Sequence, residues 1–411
     1  MGKNIVILCD GTSNEIEANR TNILRLFGCL QRDKTQLVYY DPGVGTFGSD
    51  DTFSRMRRKA TELVGLAFGR GINENVMEAY RFLIENYDDG RSNNTEPDRI
   101  YLFGFSRGAY TVRVLAGLMH IMGRMDKEQL NLLPYAYRAY RSIGYRDDAK
   151  RIEEEERYSK TKDAFAEVGL YQRVLNPDAM PIHFMGLFDT VTSILEQTGR
   201  GMRFRTHAYT RRNPSVKNVR HAVAIDERRT MYAPQLFPSG GTFKPLLGSF
   251  EESEQDCQEV WFSGTHCDVG GGLPEALSGL AKIPLDWMIN EADAKGLQVK
   301  RNVVERIVLG ETGESYCKPQ PLAKPFKSMT KGWPLVEWIP RPVHSFDDKG
   351  NEHSTLLLNR GRRRRIPEGA FIHPSVFERR GTSQDYDQPN LPKSYSVIEP
   401  LEGGETEWWN S

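Results

Sequence analysis

Gly104-Phe105-Ser106-Arg107-Gly108 sets one hydroxyl between two glycines, directly after the apolar run Ile100–Phe103. Behind it, Val112, Leu115, Ala116 and Met119 recur at helical spacing. G-x-S-x-G between a strand and a helix has a mechanical use. The turn is so tight that side chains at Gly104 and Gly108 would collide. It lifts the Ser106 hydroxyl above the sheet edge and turns the Arg107 N–H toward a developing oxyanion. The spacing therefore predicts a nucleophile elbow, against the plain alternative of a glycine-rich turn.

A serine hydroxyl needs a base, and the base needs an orienting acid. Eight histidines are present. His120 and His183 fall wrongly for the order Ser, acid, His, and His183 reads as a sheet-face residue. His207 and His221 lie in segments without a strand-end signature. His344, His353 and His373 fall in a weakly periodic tail. His266, in "EVWFSGTHCDVGGG", follows a strand on a glycine-flanked loop and is the expected base. Asp189, closing "HFMGLFDTVTS", is the expected acid. Asp268 stands too near His266 to orient its ring and reads as a turn former. Asp226, in "VRHAVAIDERR", has helical spacing and reads as part of an ion-pair network. The second oxyanion donor is expected from "ILCDGTSN": the backbone N–H of Gly11 or Thr12, with Asp10 and Asn14 shaping the loop.

These residues need elements to hold them. Asn4–Cys9 reads as a buried strand and Gln36–Tyr40 as a second. Val76, Ala79, Tyr80, Leu83 and Ile84 mark a helix over 71–87, and further strands are expected at Ile100–Phe103, at "PIHFMGLFD" and at Glu259–Phe262. "IPLDWMINEADAKG" reads as a helix with Pro284 in its first turn. Alternating strands and helices predict an α/β fold, a mostly parallel sheet with helices on both faces. The charged stretch at about 126–178 reads as a helical, cap-like insertion in a 1–310 domain. Residues 311–411 read as an irregular C-terminal region packed on that core.

The 411 residues carry 55 basic and 55 acidic side chains, so no overall charge points to nucleic acid. No run reaches the ~18 apolar residues of a membrane span, and the opening residues lack a signal-peptide core. Five scattered cysteines without a C-x-x-C pair fit reduced thiols, hence a cytoplasmic protein for which signal-independent export stays open.

Eight segments, "ILCDGTSN", "YYDPGVGT", "NVMEAYRFL", "YLFGFSRGAYTVRVLAG", "GLFDTVTS", "HAVAIDERR", "EVWFSGTHCDVGGG" and "IHPSVFER", occur in this order from Asn4 to Arg379. Together they resemble the DUF2235 family of α/β-hydrolases, which includes the type VI secretion phospholipase effectors of the Tle1 group. The resemblance implies an α/β-hydrolase core and a triad at Ser106, Asp189 and His266. It also implies a lipid or phospholipid substrate. The family's opening block usually has an aromatic residue where this chain has Ser13, and Cys9 replaces a common Phe.

Other features point elsewhere or nowhere. Gly43, Gly45 and Gly48 form a G-x-G-x-x-G, but acids follow where a dinucleotide would want a helix N-terminus. No zinc pattern is present, and neither a metal nor a cofactor is expected. The run Arg360–Arg365 reads as a solvated face or an oligomer contact, with acidic headgroups or nucleic acid as less common partners. Trp408 and Trp409 could meet a membrane surface. The expected function is a serine hydrolase cleaving carboxylic esters through an acyl-enzyme, with peripheral membrane contact open. The alternatives are a hydrolase of small non-lipid esters or amides, and a non-catalytic binding or assembly protein of the same fold.

Overall fold

A computed structural model describes residues 2–11, 19–43, 68–92, 94–143, 154–191, 195–198, 201–204, 207–311, 315–329, 333–338, 341–346, 352–358, 360–382, 386 and 388–399. In chain order the strands are β1 Asn4–Cys9, β2 Gln36–Asp41, β3 Arg99–Phe105, β4 Ile182–Phe188, β5 Leu195–Thr198, β6 Gly201–Phe204 and β7 Val216–Ala224. There follow β8 Thr242–Phe243, β9 Ser253–Glu254, β10 Asp256–Phe262, β11 Arg341–Phe346, β12 Glu352–Leu357, β13 Ala370–Ile372 and β14 Tyr395–Val397. The helices are α1 Asn22–Cys29, α2 Phe68–Asn86, α3 Arg107–Met122, α4 Leu133–Ile143, α5 Glu154–Leu175 and α6 His266–Gly270. They continue with α7 Gly279–Ala294, α8 Arg301–Val304, α9 Trp333–Val336 and α10 Ser375–Thr382.

Eight strands form one mostly parallel sheet in the order β14-β13-β10-β7-β4-β3-β1-β2, and β5–β6, β8–β9 and β11–β12 are antiparallel pairs. The chain divides into two compact units. The first comprises 1–16, 32–219 and 235–257, and the second 17–31, 220–234 and 258–411.

In the first unit, β1 pairs in parallel with β2 and with β3, and β3 pairs with β4. All six residues of β1 are buried. That is why it reads as an unbroken apolar run rather than an alternating one. α2 and α3 pack through Val76, Tyr80, Leu83, Val112, Leu115 and Met119 into one core. α4 closes on α3 where Gly117 lets the Tyr140 hydroxyl in to bond the carbonyls of Ala208 and Val114.

In the second unit, β10 pairs in parallel with β13, and β13 with β14. β13 and β14 thus bring residues of the C-terminal region into sheet pairing. Asn22 at the start of α1 donates to the carbonyls of Val269 and Ala281, tying α1 to α6 and α7.

Two expectations are corrected. The segment holding Asp226 has Val219, Ala222 and Val223 at helical spacing, yet it is β7, with every residue from Val219 to Ala224 buried. Burial on both faces removes the polar alternation that marks a strand. α7 begins at Gly279, so Pro284 lies inside the helix and not in its first turn.

Candidate active site

Ser106 is the residue at which β3 becomes α3. It takes φ 56° and ψ −117°, a conformation strained for a residue with a Cβ, and its N–H is fixed by the Phe188 carbonyl at 3.0 Å. Its two glycines are required by contact. A Cβ on Gly104 would lie 2.5 Å from the Ala109 backbone, and one on Gly108 would lie 2.1 Å from the Cys9 carbonyl oxygen. Arg107 is the first residue of α3, so its N–H belongs to the helix end that favours negative charge.

Asp189 follows the last residue of β4 and is fully buried with φ 42°. Parallel register places Phe105 opposite Phe188, so Ser106 and Asp189 leave adjacent strands at the same level. The next residue, Thr190, accepts from the Gln235 N–H at 2.9 Å through its carbonyl. Arg113 of α3, itself buried, donates to the carbonyls of Gln235 (2.6 Å), Thr210 (2.7 Å) and Arg211 (3.3 Å). α3 therefore also braces the chain that holds Thr190.

After β1, Asp10 is buried and accepts from the Tyr40 hydroxyl at 2.9 Å and from the Gly11 N–H at 2.7 Å. The Gly11 donor is thereby engaged by its neighbour's carboxylate. Thr12, the other expected donor, lies outside the described residues, as do Ser13, Asn14, Gly45, Gly48, Trp408 and Trp409. The first unit thus gathers Ser106, Arg107, Gly104, Gly108, Asp189, Asp10 and Gly11 at the ends of three neighbouring strands.

In the second unit, His266 opens α6 after β10 and is 4% exposed. Asp268 shapes its turn: one carboxylate oxygen accepts the Thr265 N–H (2.8 Å) and hydroxyl (3.0 Å), and the Phe326 N–H at 3.0 Å. Burial pushes the Asp268 carboxyl up to about 6. Asp226 accepts from the Gly264 N–H at 2.7 Å, the Tyr386 hydroxyl and the Gln388 amide.

Glu227 escaped the sequence reading. It is fully buried and paired with Arg229 through two bonds of 2.9 and 2.8 Å, and it accepts the His266 N–H at 3.2 Å. Despite the desolvation that opposes it, Arg229 holds this carboxyl down at about 2. Nothing local in the sequence signals the contact, because 39 residues separate the partners.

His221, His207, His183, His120 and His373 are built into packing. His221 lies within β7 against Glu259 at 2.7 Å. His207 meets the Tyr110 hydroxyl at 3.1 Å, and His183 packs edge-on to Tyr101. His120 and His373 are buried, and desolvation lowers them to about 4 and about 3. His344 and His353 lie in the β11–β12 pair. The basic run is not wholly a solvated face. Arg364 is buried and donates to the carbonyls of Ala224 and Tyr232, and Arg363 approaches Asp226 at 3.4 Å. Among the described residues, no helix is long and apolar enough to cross a membrane.

A family model described as "T6SS, Phospholipase effector Tle1-like, catalytic domain" matches residues 3–291. An uncharacterized protein of Saccharomyces cerevisiae is 33% identical over 245 residues, covering 57% of this chain. The chain spans about a third of that relative's length, the match covering 33% of it. Two solved structures are similar at 19% identity. One is an uncharacterized protein from Pseudomonas aeruginosa, with TM-score 0.38, covering 73% of this chain and 46% of that one. The other is the Tle1 effector bound to the VgrG spike of the type 6 secretion system, with TM-score 0.31, covering 66% and 51%.

Proposed function

The chain belongs to the family of Tle1-like phospholipase-effector catalytic domains, and from that premise we propose that it is a serine hydrolase cleaving carboxylic esters of lipids through a Ser106–His266–Asp189 triad. The observation that carries the reading is the left-handed conformation of Ser106 at the β3–α3 turn, with backbone packed hard against Gly104 and Gly108. A hydrophobic sheet strand has no packing reason to end on a strained serine. A nucleophile elbow does.

In this mechanism His266 takes the Ser106 proton and the hydroxyl oxygen attacks the ester carbonyl. The tetrahedral oxyanion is held by the Arg107 N–H, assisted by the positive end of α3. A second donor is expected from the loop that follows β1, where the Gly11 N–H itself is given to Asp10. Asp189 orients His266 and stabilises the imidazolium. The imidazolium returns its proton to the leaving alcohol, and water, deprotonated by His266, releases the acid from Ser106.

Membership of the family supports the lipid substrate. A small, water-soluble ester is the competing substrate class. No disulfide joins cysteines 9, 29, 257, 267 and 317 among the described residues, in keeping with a reducing compartment such as the cytoplasm. The test is release of fatty acid from phosphatidylcholine liposomes, run beside turnover of a short-chain nitrophenyl ester. Wild type is expected to act on the liposomes. Ser106→Ala and His266→Ala should lose at least about 10³-fold in kcat, and Asp189→Asn about 10²-fold or more. Full activity in Ser106→Ala would refute the reading. Turnover of the short ester alone would reassign the substrate.

A further inference from the structure

The stretch Asp226-Glu227-Arg228-Arg229 has no part in the chemistry above, yet its two acidic side chains converge on the turn that carries His266. Asp226 and Gly264 exchange two hydrogen bonds: the Asp226 N–H to the Gly264 carbonyl at 2.9 Å, and the Gly264 N–H to the Asp226 carboxylate at 2.7 Å. Two residues beyond Gly264, His266 donates its N–H to the Glu227 carboxylate at 3.2 Å. Consecutive acids thus hold both ends of Gly264-Thr265-His266, while Asp268 fastens its middle.

The Glu227 carboxylate is itself over-determined. It accepts the backbone N–H groups of Arg228 (3.0 Å) and Arg229 (2.9 Å) as well as the Arg229 guanidinium. That guanidinium lies over the Tyr232 ring, 3.7 Å from its centroid, and 5.2 Å from the Trp333 ring. Tyr232 in turn meets the His266 ring edge to face, with centroids 4.8 Å apart and planes at 66°. One short segment therefore grips the backbone of His266 at Glu227 and its imidazole at Tyr232, and Arg229 joins the two grips.

We infer that Glu227 and Tyr232, locked together by Arg229, are positioning residues that set the imidazole of His266 for proton transfer. The inference rests on His266 being the base. A base must sit within a fraction of an ångström of its proton, and a rigid shell of neighbours supplies that accuracy.

The experiment is the inactivation of the full chain by a fluorophosphonate, separated into the reversible constant KI and the first-order constant kinact, with the adduct mapped to Ser106. Glu227→Gln and Tyr232→Leu should lower kinact about tenfold or more while KI stays within about twofold. Tyr232→Phe, which keeps the ring, should restore the kinact lost in Tyr232→Leu. A merely structural role would reduce the fraction of chains that react and leave kinact of that fraction alone. If wild type reacts at Ser106 and both variants match its kinact, the positioning role falls and the hydrolase reading stands. If wild type takes no adduct at Ser106, the hydrolase reading falls and this inference with it. Should Glu227→Gln fail to fold, the Tyr232→Leu and Tyr232→Phe pair decides alone.

Discussion

Gly108 is the residue with least freedom in the candidate site. A methyl there would sit 2.1 Å from the Cys9 carbonyl oxygen and 2.4 Å from that of Asp10. Both are backbone atoms at the end of β1, an interior strand, and cannot yield as a side-chain tip would. Gly108→Ala should therefore cost about 2 kcal/mol or more of stability and displace Ser106, seen as a lower urea midpoint and lost esterase activity. An unchanged midpoint would mean that α3 can retreat from β1. At the same scale the sequence was most legible at Gly104, Ser106 and Gly108, whose spacing announces a tight strand-to-helix turn that only small or strained residues can make. Glu227 was illegible because its role is defined by His266 and Arg229 in space. An acidic residue beside two arginines reads as surface charge until its burial is known.

Among the elements, the parallel strands were readable as apolar runs bounded by turn residues, and β1, β3 and β4 fall where those runs lie. β7 was not readable. With both faces buried it has no alternation, and Val219, Ala222 and Val223 happen to fall on a helical face. β13 and β14 contain three residues each, too short for any periodicity. The join between α3 and α4 supplies a test at this scale. The Tyr140 hydroxyl lies 2.5 Å from where a Gly117 Cβ would be, and the Ala208 carbonyl 2.7 Å. Gly117→Ala should destabilise the chain by about 1–3 kcal/mol through overpacking, measured in urea. Ser106 lies eleven residues earlier, just before the same helix begins, so the folded fraction should keep its kinact. A fall in kinact would mean that the α3–α4 contact also sets the elbow.

For the molecule as a whole, acid should unfold the chain in stages. His120 and His373 titrate near 4 and 3 when folded, against 6.5 for the free side chain, and Glu227 near 2 against 4.5. In each case the folded value is the lower one, so the unfolded chain binds more protons and stability falls as pH falls. For the histidines the loss begins below about pH 6.5, and for Glu227 below about 4.5. Asp268 works the other way. Its folded value of about 6 exceeds the free 3.8, so protonation there returns some stability over that interval. The net expectation is a melting temperature that drops between pH 7 and 4.5. His120→Gln should remove part of the slope, about one proton's worth. A flat profile in wild type would contradict the burial of these two imidazoles.

The account stands on Ser106 being a nucleophile that His266 activates, and peptide mapping after fluorophosphonate treatment measures that directly. Wild type is predicted to carry the phosphonyl group on the peptide containing Ser106, and His266→Ala to acquire it at least about 10³-fold more slowly. An adduct on another residue of wild type, or equal rates in wild type and His266→Ala, would contradict it.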